Sequence, residues 1–218
     1  MRRQIADGVR FVAGDPYLRV LTVFGAASNI GLTGYQALLV VFLVRDVGLR
    51  PALVGALFAV MGVGAVLGAL VATGVGRRLG TARGLLLAGL LAGPPALLIP
   101  LTGAGPRLAW LVGGAGAVGL GVAMGNVIKG SFRQTYTPHH LLGRVTVSMQ
   151  LLNYGTIPLG ALLAGALGSA FGPRPALWLI TGWLALTGFI LLAGPIRHSR
   201  DLPAAPEAAD GRTRTNRR

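Results

Sequence analysis

Asn29, Asn126, Gln150 and Asn153 carry amide groups inside long apolar runs. An amide in hydrocarbon is costly unless it faces protein or water. Thr22, Asn29, Thr33 and Gln36 follow a 7-4-3 spacing, which places all four on one stripe of a helix. Thr146, Gln150, Asn153 and Tyr154 form a second stripe. Asn126, Lys129 and Arg133 form a third. Groups of this kind donate and accept hydrogen bonds; they do not cleave or transfer. One reading is purely structural, as interhelical hydrogen bonds worth ~0.6 kcal/mol each. The other is the polar wall of a water-filled translocation path. Stripes on three separate helices favour the path, with Thr22, Asn29, Thr33, Gln36, Asn126, Gln150, Asn153 and Tyr154 as its candidate lining.

Other chemistry finds no support. No acidic residue stands between Asp46 and Asp201, so neither a carboxylate pair nor a Ser-His-Asp arrangement can form there. His139 and His140 are adjacent, hence about 100° apart on a helix. No carboxylate or thiol is near them in sequence, so no metal site is expected. Gly114-Ala115-Gly116-Ala117-Val118-Gly119 fits G-x-G-x-x-G, but that fingerprint needs a preceding strand and a later acid. These glycines read better as points where helix backbones approach closely, as do Gly64-xxx-Gly68 and Gly121-xxx-Gly125. No cofactor and no enzyme activity are expected.

The elements that must hold these residues are membrane spans. Apolar residues make up 53% of the chain, charged residues 12%, and the mean hydropathy is +0.66. A soluble domain carries roughly 25% charged residues. A net charge of +14 would suggest nucleic acid in a polar protein, yet here the basic residues sit in short clusters between apolar runs. Charge-free stretches run over 20–44, 51–76, 84–106, 108–128, 145–173 and 175–196. Each meets the ~20 residues that a helix needs to cross ~30 Å of hydrocarbon. The expected class is all-α, a polytopic membrane protein with six transmembrane helices. The chain has no cysteine. The N-terminus has basic residues but no short apolar region with a cleavage site, so no signal peptide is expected.

Six spans put both ends on one side. Sixteen of the basic residues fall there, among them Arg77, Arg78, Arg83, Lys129, Arg133 and Arg144, against four on the other side: Arg45, Arg50, Arg107 and Arg174. Under the positive-inside rule both termini are cytoplasmic, in the inner membrane. Three regions are expected. Residues 1–16 form an amphipathic surface helix, with Ile5, Val9 and Val12 on one face and Asp15-Pro16 ending it. Residues 17–196 form the six-helix unit, and 197–218 a disordered basic tail.

These residues resemble one half of a major facilitator superfamily transporter. The loop Gly76-Arg77-Arg78-Leu79-Gly80-Thr81-Ala82-Arg83 is similar to the basic, glycine-containing loop that the superfamily places between the second and third helices of each half. Arg77 stands where that pattern has an acid, as in second-half copies. Phe132-Arg133-Gln134, Thr137-Pro138 and Leu142-Gly143-Arg144-Val145 resemble the loop between helices ten and eleven of the drug- and siderophore-exporter branch, which includes enterobactin and macrolide efflux proteins. Asp7-Gly8-Val9-Arg10-Phe11-Val12, with Asp15-Pro16 and Leu18-Arg19, resembles the surface helix before that branch's seventh span.

The resemblance implies a C-terminal half built as a 3+3 inverted repeat, exporting a small molecule in exchange for protons by alternating access. Coupling acids would then lie in an N-terminal six-helix half, encoded in the same gene or supplied as a second chain, unless the chain self-associates. A non-transporting scaffold, a secretion-associated protein and an inactive gene fragment are the alternatives. Within residues 130–145, Pro138 is expected to end a helix extension, Gly143 to allow a tight re-entry, and Arg133 and Arg144 to stay at the headgroup or partner-helix level. The segment then acts either as a gate brace or as a topological anchor.

Overall fold

The computed structural model describes residues 9–203, the side chains of His139, His140 and His198 excepted. Residues 9–14 are helical. The chain then turns at Asp15 into α1 (Pro16–Arg45). Asp15 is extended, and its carboxylate accepts from the N–H groups of Tyr17 and Leu18 at 2.9 and 2.8 Å. Pro16 sits at the start of the helix, where a missing N–H costs nothing. The dipeptide expected to end one helix therefore also caps the next.

α2 (Pro51–Leu79) and α3 (Thr81–Ala92) meet at Gly80, whose φ of 95° suits glycine and strains other residues. Pro94 and Pro95 have no N–H for the carbonyls one turn back, so the span continues as a 3-10 helix, Pro94–Leu101. α4 (Leu108–Tyr136) stops at Thr137, held extended with ψ 129° before Pro138. The fifth span is two helices, α5 (His139–Gly155) and α6 (Ile157–Phe171). Pro158 cannot donate to the Tyr154 carbonyl and its ring crowds that oxygen, so the helix breaks at Thr156. α7 (Pro173–Ala193) and a short 3-10 turn, Pro195–His198, complete the described chain.

Six helical segments among the described residues are long and apolar enough to cross a membrane, as expected. Several details differ from expectation. The third segment ends at Leu101, short of Pro106. Gly143 makes no tight re-entry: α5 starts at His139, and Gly143 lies exposed inside it. The reversal is made by Thr137-Pro138 alone. The tail expected to be free from residue 197 is instead docked as far as Leu202, which is buried. Ile5 and the rest of 1–8, and 204–218, lie outside the described residues.

Burial separates into two apolar cores stacked along the helices. One holds Leu18, Phe24, Leu85, Ile128, Leu191 and Leu202, at the end where residues 9–15 and 194–203 lie. The other holds Tyr35, Phe42, Ile99, Leu111, Leu177 and Leu184. Lipid gives helices no hydrophobic reason to associate, so close packing holds them. A Cβ on Gly64 would strike the Gly116 carbonyl, and one on Gly68 the Leu120 carbonyl, so α2 and α4 touch backbone to backbone. Gly121 also leaves no room for a Cβ against the backbone of Ala88 and Ala92 of α3, whereas Gly125 makes ordinary contact with Ala88. The least buried segments are α2 and the α5–α6 pair, with Val66 and Leu70 exposed on one and Leu151 and Leu162 on the other.

Candidate functional site

Between the two cores runs a layer of polar contacts. Ser28 donates to Thr187 at 3.3 Å, and the Trp183 indole N–H donates to the Ala27 carbonyl at 2.9 Å, joining α1 to α7. The Asn29 amide donates to the Asn153 carbonyl at 3.0 Å, joining α1 to α5. That carbonyl also accepts from the Thr156 hydroxyl at 2.6 Å, and Thr156 reaches the Ala26 carbonyl at 3.3 Å. The break that Pro158 imposes is thus stapled to the middle of α1. Asn153 turns its own amide N–H back to the Met149 carbonyl at 2.7 Å. Its side-chain oxygen lies against Gly25, leaves no room there for a Cβ, and has no hydrogen-bond partner.

A cavity of about 380 Å³ opens beside this layer. Asn29, Asn126, Gln150, Asn153 and Tyr154 stand on its wall; Thr22, Thr33 and Gln36 do not. Thr22 is buried with its hydroxyl on the Leu18 carbonyl at 2.7 Å, Thr33 is half-buried elsewhere, and Gln36 is exposed. The 7-4-3 spacing placed these four on one stripe, but the cavity takes α1 only from Leu18 to Leu32, short of Thr33 and Gln36, and Thr22 within that length is packed away from it. Lys129 and Arg133, the rest of the α4 stripe, also face the cavity. The Lys129 ammonium lies 5.3 Å from the centre of the Phe24 ring, a cation–π contact. The Arg133 Nε is buried without a partner. Arg133 and Arg144 were expected to stay at the headgroup or partner-helix level. Arg133 is half-buried at the cavity while Arg144 is exposed, as are Gln134 and Pro138.

At the α2–α3 turn, Arg77, Arg78 and Arg83 have exposed side chains, while Gly80 is buried against Arg200. The Arg200 carbonyl accepts from the N–H groups of Ala82 and Arg83 at 3.2 and 3.4 Å. Asp201 accepts from the Thr81 N–H at 2.9 Å, and the Thr81 hydroxyl accepts from the Leu202 N–H at 2.8 Å. Gly76 lies one turn earlier, with only ordinary contact to Thr81. The segment after α7 thus straps the basic turn.

Residues 21–216 match the sequence model of the Major Facilitator Superfamily. The chain belongs to the Major Facilitator Superfamily. It is therefore an integral membrane protein from a family of secondary transporters, not of enzymes. No curated protein and no solved structure matched it.

In this superfamily chain, sequence reasoning overlooked Ser28, Thr156, Thr187 and Trp183. One signal was available: Pro158 inside a charge-free run marks a break, and Thr156 is the hydrogen-bonding residue beside it. Nothing in the spacing of Thr187 or Trp183 identified α1 as their partner. Chemically, the arrangement offers amides, a phenol and two cations to a small solute, and no acidic group among the described residues of the wall.

Proposed function

We propose that the chain is the C-terminal six-helix half of a drug- or siderophore-type exporter, working by alternating access in the cytoplasmic membrane with both ends in the cytosol. The observation that carries this reading is the cavity itself, a recess walled by α1, α3, α4, α5 and α7 in the half of the bundle where residues 9–15 and 194–203 lie, with the little-buried α5–α6 span at its side. Apolar flanks beside a polar recess fit a companion six-helix half closing over the substrate. The broken fifth span supports it too, because interrupted helices at mid-membrane build substrate sites in transporters. The described residues of the wall include no carboxylate, and on this reading the proton-coupling acid belongs to the companion half. Gln134, Pro138 and Arg144 then serve the gate at the cytoplasmic mouth, with Gly76, Arg77, Arg78 and Arg83 on the neighbouring turn.

The test is efflux of a drug and siderophore panel from cells that carry the chain together with its companion half. Substituting Gln150 and Asn126 with Ala is expected to lower efflux of the true substrate about tenfold or more while protein level is unchanged. Efflux that is indifferent to both substitutions would refute the placement of the path, and a non-transporting scaffold would show no efflux at all. Topology is testable because the chain has no cysteine of its own. A single cysteine at Ser199 should resist a membrane-impermeant thiol reagent in intact cells, and one at Gly172 should react.

A further inference from the structure

We propose that the cavity receives an organic anion, with the negative group of the solute seated by Lys129 and Arg133 and the remainder lying along the amides of Asn126 and Gln150. This rests on the proposed reading of the chain as a cavity-bearing half and names the substrate class within it. Lys129 and Arg133 are one turn apart on α4, so they share a face, and both stand on the wall. Two like charges at that spacing repel each other. Among the described residues of the wall none is acidic, so no carboxylate there offsets them.

The described carboxylates are engaged elsewhere. Asp15 holds Tyr136 and two backbone N–H groups, Asp201 holds the Thr81 N–H, and Asp46 lies beyond the opposite end of α1. Lys129 meets the face of Phe24, and the buried Arg133 Nε has an unused N–H. Cations placed this way in a membrane are stabilised when a counter-charge arrives, and a guanidinium beside an ammonium suits a carboxylate, phosphate or sulfonate. Leu21, Leu32 and Met149 supply an apolar side to the same recess. A volume of about 380 Å³ accommodates a small amphipathic solute.

The experiment uses the full chain in phosphatidylcholine nanodiscs and reads fluorescence anisotropy of carboxyfluorescein, an anion, against rhodamine 6G, a cation. Carboxyfluorescein is expected to bind about tenfold more tightly or better. That preference should vanish in the Lys129→Met, Arg133→Gln double variant and persist in Lys129→Arg. If the double variant does not assemble, Arg133→Gln alone is expected to reduce the preference. Equal binding of the two dyes, or a preference that survives the double variant, would overturn the anionic class and leave the cavity reading intact. Binding of neither dye would overturn both. Discs of phosphatidylglycerol separate solute from lipid: retained carboxyfluorescein binding supports the proposal, and its disappearance there assigns the two cations to a headgroup and refutes it.

Discussion

The Tyr136 hydroxyl donates to the Asp15 carboxylate at 2.6 Å, tying the end of α4 to the start of α1 across most of the chain. The same carboxylate caps α1, and Tyr136 stacks on Phe132 at 4.7 Å. One side chain thus sets both the entry angle of the first span and the exit of the fourth. Tyr136→Phe removes only the hydrogen bond and is expected to cost about 1 kcal/mol. Asp15→Ala removes the cap as well and should cost about 2 kcal/mol. A double-mutant cycle on thermal unfolding in detergent checks this, because the Tyr136 effect should disappear once Asp15 is gone.

Gly25 and Asn153 are matched in shape. Adding a methyl at Gly25 forces the Asn153 side chain off its position, so Gly25→Ala is expected to destabilise by about 2 kcal/mol. Truncating the obstacle should restore space, so Gly25→Ala combined with Asn153→Ala is expected to lose less than the two single variants summed. Strict additivity in melting temperature would contradict the contact.

The α2–α4 seam depends on glycine at specific positions. Gly68→Leu drives a side chain into the Leu120 carbonyl and should cost about 3 kcal/mol or prevent assembly. Gly74→Leu, six residues along the same helix, meets open space and is expected to be near neutral. Monodispersity on size-exclusion chromatography distinguishes the two.

Leu202 anchors the strap over the α2–α3 turn. Leu202→Ala empties a buried site and is expected to cost about 2 kcal/mol. A chain ending after residue 203 keeps the Arg200, Asp201 and Leu202 contacts and serves as the reference, whereas ending it after residue 198 removes them and should expose the turn at Gly80 to protease. Limited proteolysis of the two truncations, read by mass spectrometry, decides between a strap and a passive tail.

The number of spans and most of their limits were legible in the residues, because lipid demands long charge-free helices whatever their neighbours. Local chemistry was equally legible: Pro138 stops α4 and Gly64-xxx-Gly68 predicts a tight seam, since both effects arise within a few residues of backbone. A stripe of polar residues is also a local pattern, but which part of it meets a cavity is not. Asn29 lines the recess while Thr22, two turns away on the same face and within the recess's length, is sealed by its neighbours, and Thr33 and Gln36 lie beyond the recess, because what packs on α1 differs along its length. Only the tertiary structure joined Asp15 to Tyr136, Asn29 to the broken fifth span, and Leu202 to the basic turn. Those partners are separated by more than a hundred residues, and no spacing rule acts over that distance.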